Sequence, residues 1–188
     1  MDLSPLAQIL PEIEARRTFK ASRTFTIEEL KLKFHNGEER VYERIVGGRG
    51  AVMIVPYDGT HFYLTAEYAG GLHQYSLGLV KGKIDEGESG QEAALRELAE
   101  EIGLGARRIS LLRAPVTVAP GMLELSMHLY LAEDLYPHQL SGDEPEPIQI
   151  IKASPAEVKD LIFNPDAPLH EARAAFALTL ALHKIGAL

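Results

Sequence analysis

The segment GKIDEGESGQEAALRELAEEIGL, Gly82 to Leu104, sets seven acidic residues and one arginine between Asp85 and Glu101. Read as a helix over residues 90 to 103, at about 100° per residue, Ala94, Leu95, Leu98, Ala99 and Ile102 share an inward arc of about 140°. Glu97, Glu100 and Glu101 fall on a second arc of about 100°, as neighbours at helical spacing. Their mutual repulsion costs an isolated helix a few tenths of a kcal/mol per pair. A face serving only solubility would interleave lysines, and this one has none. Clustered carboxylates with few basic partners suit a hard divalent cation, Mg²⁺ or Mn²⁺.

These carboxylates need a scaffold, and the chain is long enough for one. Its 188 residues suit one domain, residues 1–188, with an N-terminal extension over 1–46 and a core over 47–188. In the extension, RTFTIEELKLKF and ERVYERIV flank Asn36-Gly37, which predicts a β-hairpin over residues 24 to 46. AVMIVPY and HFYLTAEY read as strands joined at Asp58-Gly59, and YSLGLV as one short strand entering the glycine-rich loop. RISLLRA and LSMHLYLA follow the acidic helix, joined through Pro120-Gly121. Ser154-Pro155 opens a short helix with serine as cap. HEARAAFALTLALHK is an alanine-rich helix, apolar over most of its circumference, that suits core or dimer packing. Strands outnumber helices without regular alternation, so the fold class is α+β, a mixed sheet between helices.

Composition removes several function classes. The net charge is −8 and no basic cluster exceeds a pair, so phosphate-driven nucleic-acid binding is not expected. The absence of cysteine excludes disulfides and thiolate metal sites. No apolar run approaches the roughly 18 residues of a membrane span. Asp2, Pro5 and Pro11 break any signal-peptide core, and a cytoplasmic location is the expectation. The seven histidines are scattered without helical pairing and read as surface residues.

The acidic segment resembles the Nudix box, G-x5-E-x7-R-E-U-x-E-E-x-G-U with U aliphatic. Gly82, Glu88, Arg96, Glu97, Leu98, Glu100, Glu101, Gly103 and Leu104 meet it without departure. A phosphate-cradling loop fails because Gly82-Lys83 is followed by Ile84, and DEGESG lacks EF-hand spacing. The likeness extends through NGEERVYERIV, AVMIVP, YSLGLVKGKIDEGES, AEDLYP and GDEPEP to bacterial ADP compounds hydrolases of the ADP-ribose pyrophosphatase-like branch.

That resemblance implies a Nudix α/β/α sandwich and hydrolysis of ADP-X (ADP-ribose, diadenosine polyphosphates, NADH) to AMP and X-phosphate. It implies Mg²⁺, with Mn²⁺ possible, held by Glu97, Glu101 and the Lys81 carbonyl, with Glu100 assisting. Gly82, Glu88 and Gly103 shape the motif, and Arg96 orients the site by reaching Glu88. In the loop SGDEPEP, Glu144 is the candidate general base and Glu146 a further metal ligand. Glu124 is a second choice for the base. The branch often carries an arginine where this chain has Ala66, so Arg40 or Arg44 of the hairpin, four apart on one strand face, is expected to contact substrate instead. Tyr68 and Tyr75 are candidates to stack on a base, though tyrosines at such positions are more often core. The hairpin is expected to serve as a dimer arm. Rival readings are a hydrolase of another nucleotide sugar such as GDP-mannose, and a non-catalytic ADP-ribose sensor.

Overall fold

A computed structural model describes residue 1 and residues 3–188; Asp2, used above in the signal-peptide argument, lies outside the described residues. By internal contacts the chain divides into two units, Met1–Gly47 with Ala119–Leu125, and Gly48–Val118 with Ser126–Leu188.

The first unit is a three-stranded antiparallel sheet, β1 (Glu12–Lys20), β2 (Thr26–Lys33) and β3 (Glu39–Val46), in that spatial order. The predicted hairpin is present as β2 and β3. Gly37 takes φ 87° at its turn, and the Asn36 side chain accepts from the Glu38 N–H at 3.0 Å. β1 was not foreseen. All nine of its residues are exposed, so EIEARRTFK carries no clear apolar face for a pattern to reveal. The 119–125 segment joins this sheet through a parallel bridge between Ile45 and Leu123.

The second unit is a layered α+β core. Its four-stranded mixed sheet runs β7 (Val80–Lys83), β4 (Ala51–Pro56), β9 (Ser126–Pro137), β8 (Leu104–Thr117), with β4 and β9 parallel and the other pairs antiparallel. β5 (Phe62–Ala69) lies between β10 (Gln149–Ala153) and β6 (Gln74–Gly78) in a second, antiparallel sheet. β4 is buried along its whole length, as its apolar run predicts. Val52 and Ile54 pack with Ala94, Leu98 and Ile102 of α1 (Gly90–Ile102). Met53 and Val55 point to the opposite face by strand alternation. α3 (Ala172–Lys184) packs there, with Ala174, Ala177, Leu178, Ala181 and Leu182 buried. This settles HEARAAFALTLALHK as core. α2 (Pro155–Phe163) carries the expected cap: Ser154 accepts from the Glu157 N–H, and Glu157 returns the bond.

Three expectations are corrected. YSLGLV is not one strand: β6 ends at Gly78, Leu79 is fully buried, and β7 starts at Val80 in the other sheet. A local apolar pattern cannot register a change of sheet. On α1, Ala93 is buried and Leu95 only half-buried, because cover on the Ala93 side shifts the inward arc. His61 and His128 are half-buried rather than surface residues.

Candidate active site

α1 begins at a reciprocal cap. Ser89 accepts from the Glu92 N–H at 3.2 Å, and the Glu92 carboxylate accepts from the Ser89 N–H at 2.8 Å. The helix ends at Gly103, in the left-handed region at φ 68°. A methyl group there would also lie 2.4 Å from Gln139 Oε1, so glycine is required by backbone and by space.

Arg96 is the organising group. Its guanidinium donates to both Glu88 oxygens at 2.9 Å, to Glu97 at 2.7 Å, to Glu100 at 2.9 Å and to the Lys83 carbonyl at 2.9 Å. It thus ties the 83–88 loop to the helix, as the spacing suggested. These hydrogen bonds, with Glu88 first, raise the guanidinium further above its usual range, and the same contact lowers the Glu88 carboxyl. Burial raises the Glu97 carboxyl despite its contact with Arg96. Burial also pushes Glu101 up to about 8; its closest polar contact is the Lys81 N–H at 3.4 Å.

Gly82 allows this approach. A methyl group there would lie 1.9 Å from the Glu97 carboxylate, so any larger residue would displace that side chain from its place over β7. Lys81, Glu97, Glu100, Glu101, Arg96 and Glu144 all line one cleft of about 490 Å³. Glu146 accepts from the Tyr75 hydroxyl at 2.6 Å and lines an adjoining pocket of about 240 Å³ together with Glu100, Glu101 and Glu144. Tyr68 and Tyr75 are 50% and 63% exposed, which corrects the core reading of both. Their rings meet edge to face at 6.1 Å, and Tyr68 bonds His73 at 2.7 Å. With Glu144 and Glu146 they border another pocket of about 290 Å³.

The remaining candidates belong to the N-terminal sheet. Arg40 pairs with Glu38 at 2.7 Å. Arg44 pairs with Glu28 at 2.6 Å and with Glu124 at 3.5 Å.

Sequence reasoning missed two features. The Lys81 side chain forms an ion pair with Glu67 of β5. Gln139 donates to the Ala99 carbonyl at 3.2 Å, while Leu140 N–H reaches the same carbonyl at 3.1 Å, strapping the loop that leads to Glu144 onto the end of α1. Neither has a local signature, because each joins residues far apart in the chain.

The donor set fits a hard divalent cation: the Glu97 carboxylate lies over Gly82, and Glu100, half-buried Glu101 and Glu144 line the same cleft. Glu97 and Glu100 point to Arg96, and among the described residues no three acidic or histidine side chains stand at coordinating positions.

Two family profiles match the chain: a NudE-type Nudix hydrolase N-terminal domain over residues 11–44 and the NUDIX domain over residues 48–179. The chain is 46% identical over 171 residues to the ADP compounds hydrolase NudE of Escherichia coli (strain K12), covering 90% of each. It is 26% identical over 155 residues to an ADP-ribose pyrophosphatase of Bacillus subtilis (strain 168), covering 81% of this chain and 80% of that one. A solved structure described as an ADP compounds hydrolase superposes with a TM-score of 0.87 at 43% identity, over 96% of this chain and 98% of that one. The fold, the intact box around Arg96 and these likenesses agree: the chain belongs to the Nudix hydrolases and is a pyrophosphohydrolase of that family.

Proposed function

We propose that this protein hydrolyses ADP-X compounds, among them ADP-ribose, diadenosine polyphosphates and NADH, to AMP and X-phosphate, with Mg²⁺ or Mn²⁺ as cofactor. The observation that carries the reading is the cleft in which Glu97, Glu100 and Glu101 of α1 face Glu144 of the strapped loop. The 46% identity to an ADP compounds hydrolase supports the choice of substrate class.

A bound divalent cation would offset the diphosphate charge and acidify the attacking water. Glu97, Glu101 and the Lys81 carbonyl would hold it, with Glu100 assisting and Glu146 as a further ligand. Arg96 orients the helix and the 83–88 loop throughout. Glu144 accepts the water proton as oxygen attacks phosphorus; the bridging P–O bond breaks, and the proton passes to the leaving phosphate. Tyr68 offers its ring face to the base. Arg40 and Arg44 remain candidate phosphate contacts, and Arg44 would have to share its guanidinium with Glu28.

A homodimer through the N-terminal sheet belongs to the same proposal. β1 is an edge strand with every residue exposed, and Ile13, Phe19, Val41 and Tyr42 of this sheet are exposed large apolar side chains. A cytoplasmic setting is likewise proposed, consistent with a cysteine-free chain; among the described residues no helix is long and apolar enough to cross a membrane.

The test is product analysis with ADP-ribose, NADH, diadenosine triphosphate and GDP-mannose in Mg²⁺ and in Mn²⁺. AMP release from the ADP compounds is expected. Preference for GDP-mannose would reassign the substrate, and tight ADP-ribose binding without turnover would make the protein a sensor.

A further inference from the structure

Beside the acidic cleft lies a pocket that shares Lys81 and Tyr68 with the site described above. It encloses about 300 Å³, and its polar walls are Glu67, Ser76, Lys81, His170, Glu171 and Arg173. Lys81 lines both spaces, so they meet at that residue. Glu67 and Ser76 are cross-strand partners on β5 and β6, and Tyr68 and Tyr75 form the next pair along. Tyr68 lines this pocket too, and Glu67 also borders the pocket beside Tyr75 and Glu146, so the two spaces share these residues.

The charges of the polar face are matched in place. Glu67 pairs with Lys81 and Glu171 with Arg173, each pair formed from largely buried side chains. Gly78 makes room for the second pair, since a side chain there would lie 2.9 Å from Glu171 Oε2. A charged ligand would find its counter-charges already engaged and would have to displace one. Hydrogen-bonding capacity nevertheless remains: a guanidinium has five N–H donors, a carboxylate about four acceptor sites, and one ion pair uses few of them. Ser76 adds a hydroxyl to the same wall. Spare donors and acceptors without net charge match a neutral ring bearing several hydroxyl groups.

We propose that this pocket receives the sugar ring of X, a pentose in the case of ADP-ribose, with Arg173 donating to its hydroxyls and Glu67 accepting from them. The inference rests on the ADP-X reading of the neighbouring cleft. It makes Glu67, His170 and Arg173 the residues that select X.

The test compares ADP-ribose with the methyl ester of ADP, which carries no hydroxyl beyond the diphosphate. Arg173→Met should raise KM for ADP-ribose roughly 3- to 10-fold, the loss of one or two hydrogen bonds, and change KM for the methyl ester less than about 2-fold. Leu72→Trp narrows the same pocket from an exposed position without touching either ion pair, and should give the same split if Arg173→Met folds poorly. Equal effects on both substrates, or none on either, overturn the assignment. Equilibrium binding in chelator supplies a second readout: the wild type should bind ADP-ribose more tightly than the methyl ester, and Leu72→Trp should abolish the difference. If the wild type cleaves no ADP compound, the proposed function falls, while equal binding of the two ligands would overturn the pocket separately.

Discussion

The N-terminal sheet and the α1 cleft each remove a glutamate from water, and they treat it in opposite ways. Glu28 on β2 is 5% exposed and held by two arginines, Arg16 at 3.3 Å and Arg44 at 2.6 Å. Glu101 on α1 is pushed up to about 8 by burial, and no arginine contacts it. A buried carboxylate that is ion-paired fixes structure, whereas a carboxyl that burial keeps protonated is free to ionise when a cation arrives. The Arg96 cluster shows the protein has a guanidinium within that cleft and directs it to Glu88, Glu97 and Glu100, not Glu101.

The largest expected effect tests this contrast directly. Glu101→Gln and Glu97→Gln should each lower kcat at least ~10²-fold, because a neutral amide is a poor ligand for a hard cation. Glu101→Gln should keep Tm near neutral pH and raise it above pH 8, where it removes the cost of ionising a desolvated carboxyl. Glu28→Gln should instead lower stability by about 2 kcal/mol, below the usual cost of breaking a buried pair because its arginines are partly exposed. Near-wild-type turnover of Glu97→Gln or Glu101→Gln at saturating Mg²⁺ would remove the ligand assignment; reversed Tm effects would dissolve the contrast.

Glu144→Gln should cost ~10²- to 10⁴-fold in kcat while leaving cation and nucleotide affinity largely intact. An active Glu144→Gln beside a dead Glu124→Gln would move the base to the 119–125 segment.

Glu101 also predicts a pH dependence. Its carboxyl rises from 4.5 to about 8 on folding, so between those values the folded chain holds a proton that the unfolded chain has lost. The metal-free protein should therefore lose stability as pH rises from about 5 to 8. Glu101→Gln should flatten that slope in thermal melts, and added divalent cation should offset it at the high end. A wild-type slope unchanged by the substitution would show that another group carries it.

The smallest and most regional effect concerns the N-terminal sheet. Deleting residues 1 to 46 should abolish dimerisation and raise KM for ADP-ribose more than a metal-site substitution does, with sedimentation and steady-state kinetics as the readouts. A truncated monomer with unchanged KM would reduce the sheet to a structural flap.

By itself the sequence determined α1, its cap at Ser89, its end at Gly103 and the clustering of Glu97, Glu100 and Glu101, because helical spacing and local backbone chemistry act within a few residues. It also determined β4, whose apolar run admits no exposed face, and the β2–β3 hairpin, whose turn requires Gly37. Tertiary structure decided what depends on residues distant in the chain. It paired Glu146 with Tyr75, set Lys81 against Glu67, split YSLGLV between two sheets and strapped Gln139 to the end of α1. It decided the fate of each carboxylate as well, since Glu28 and Glu101 are the same residue type, and their difference lies in which cations the fold brings to them.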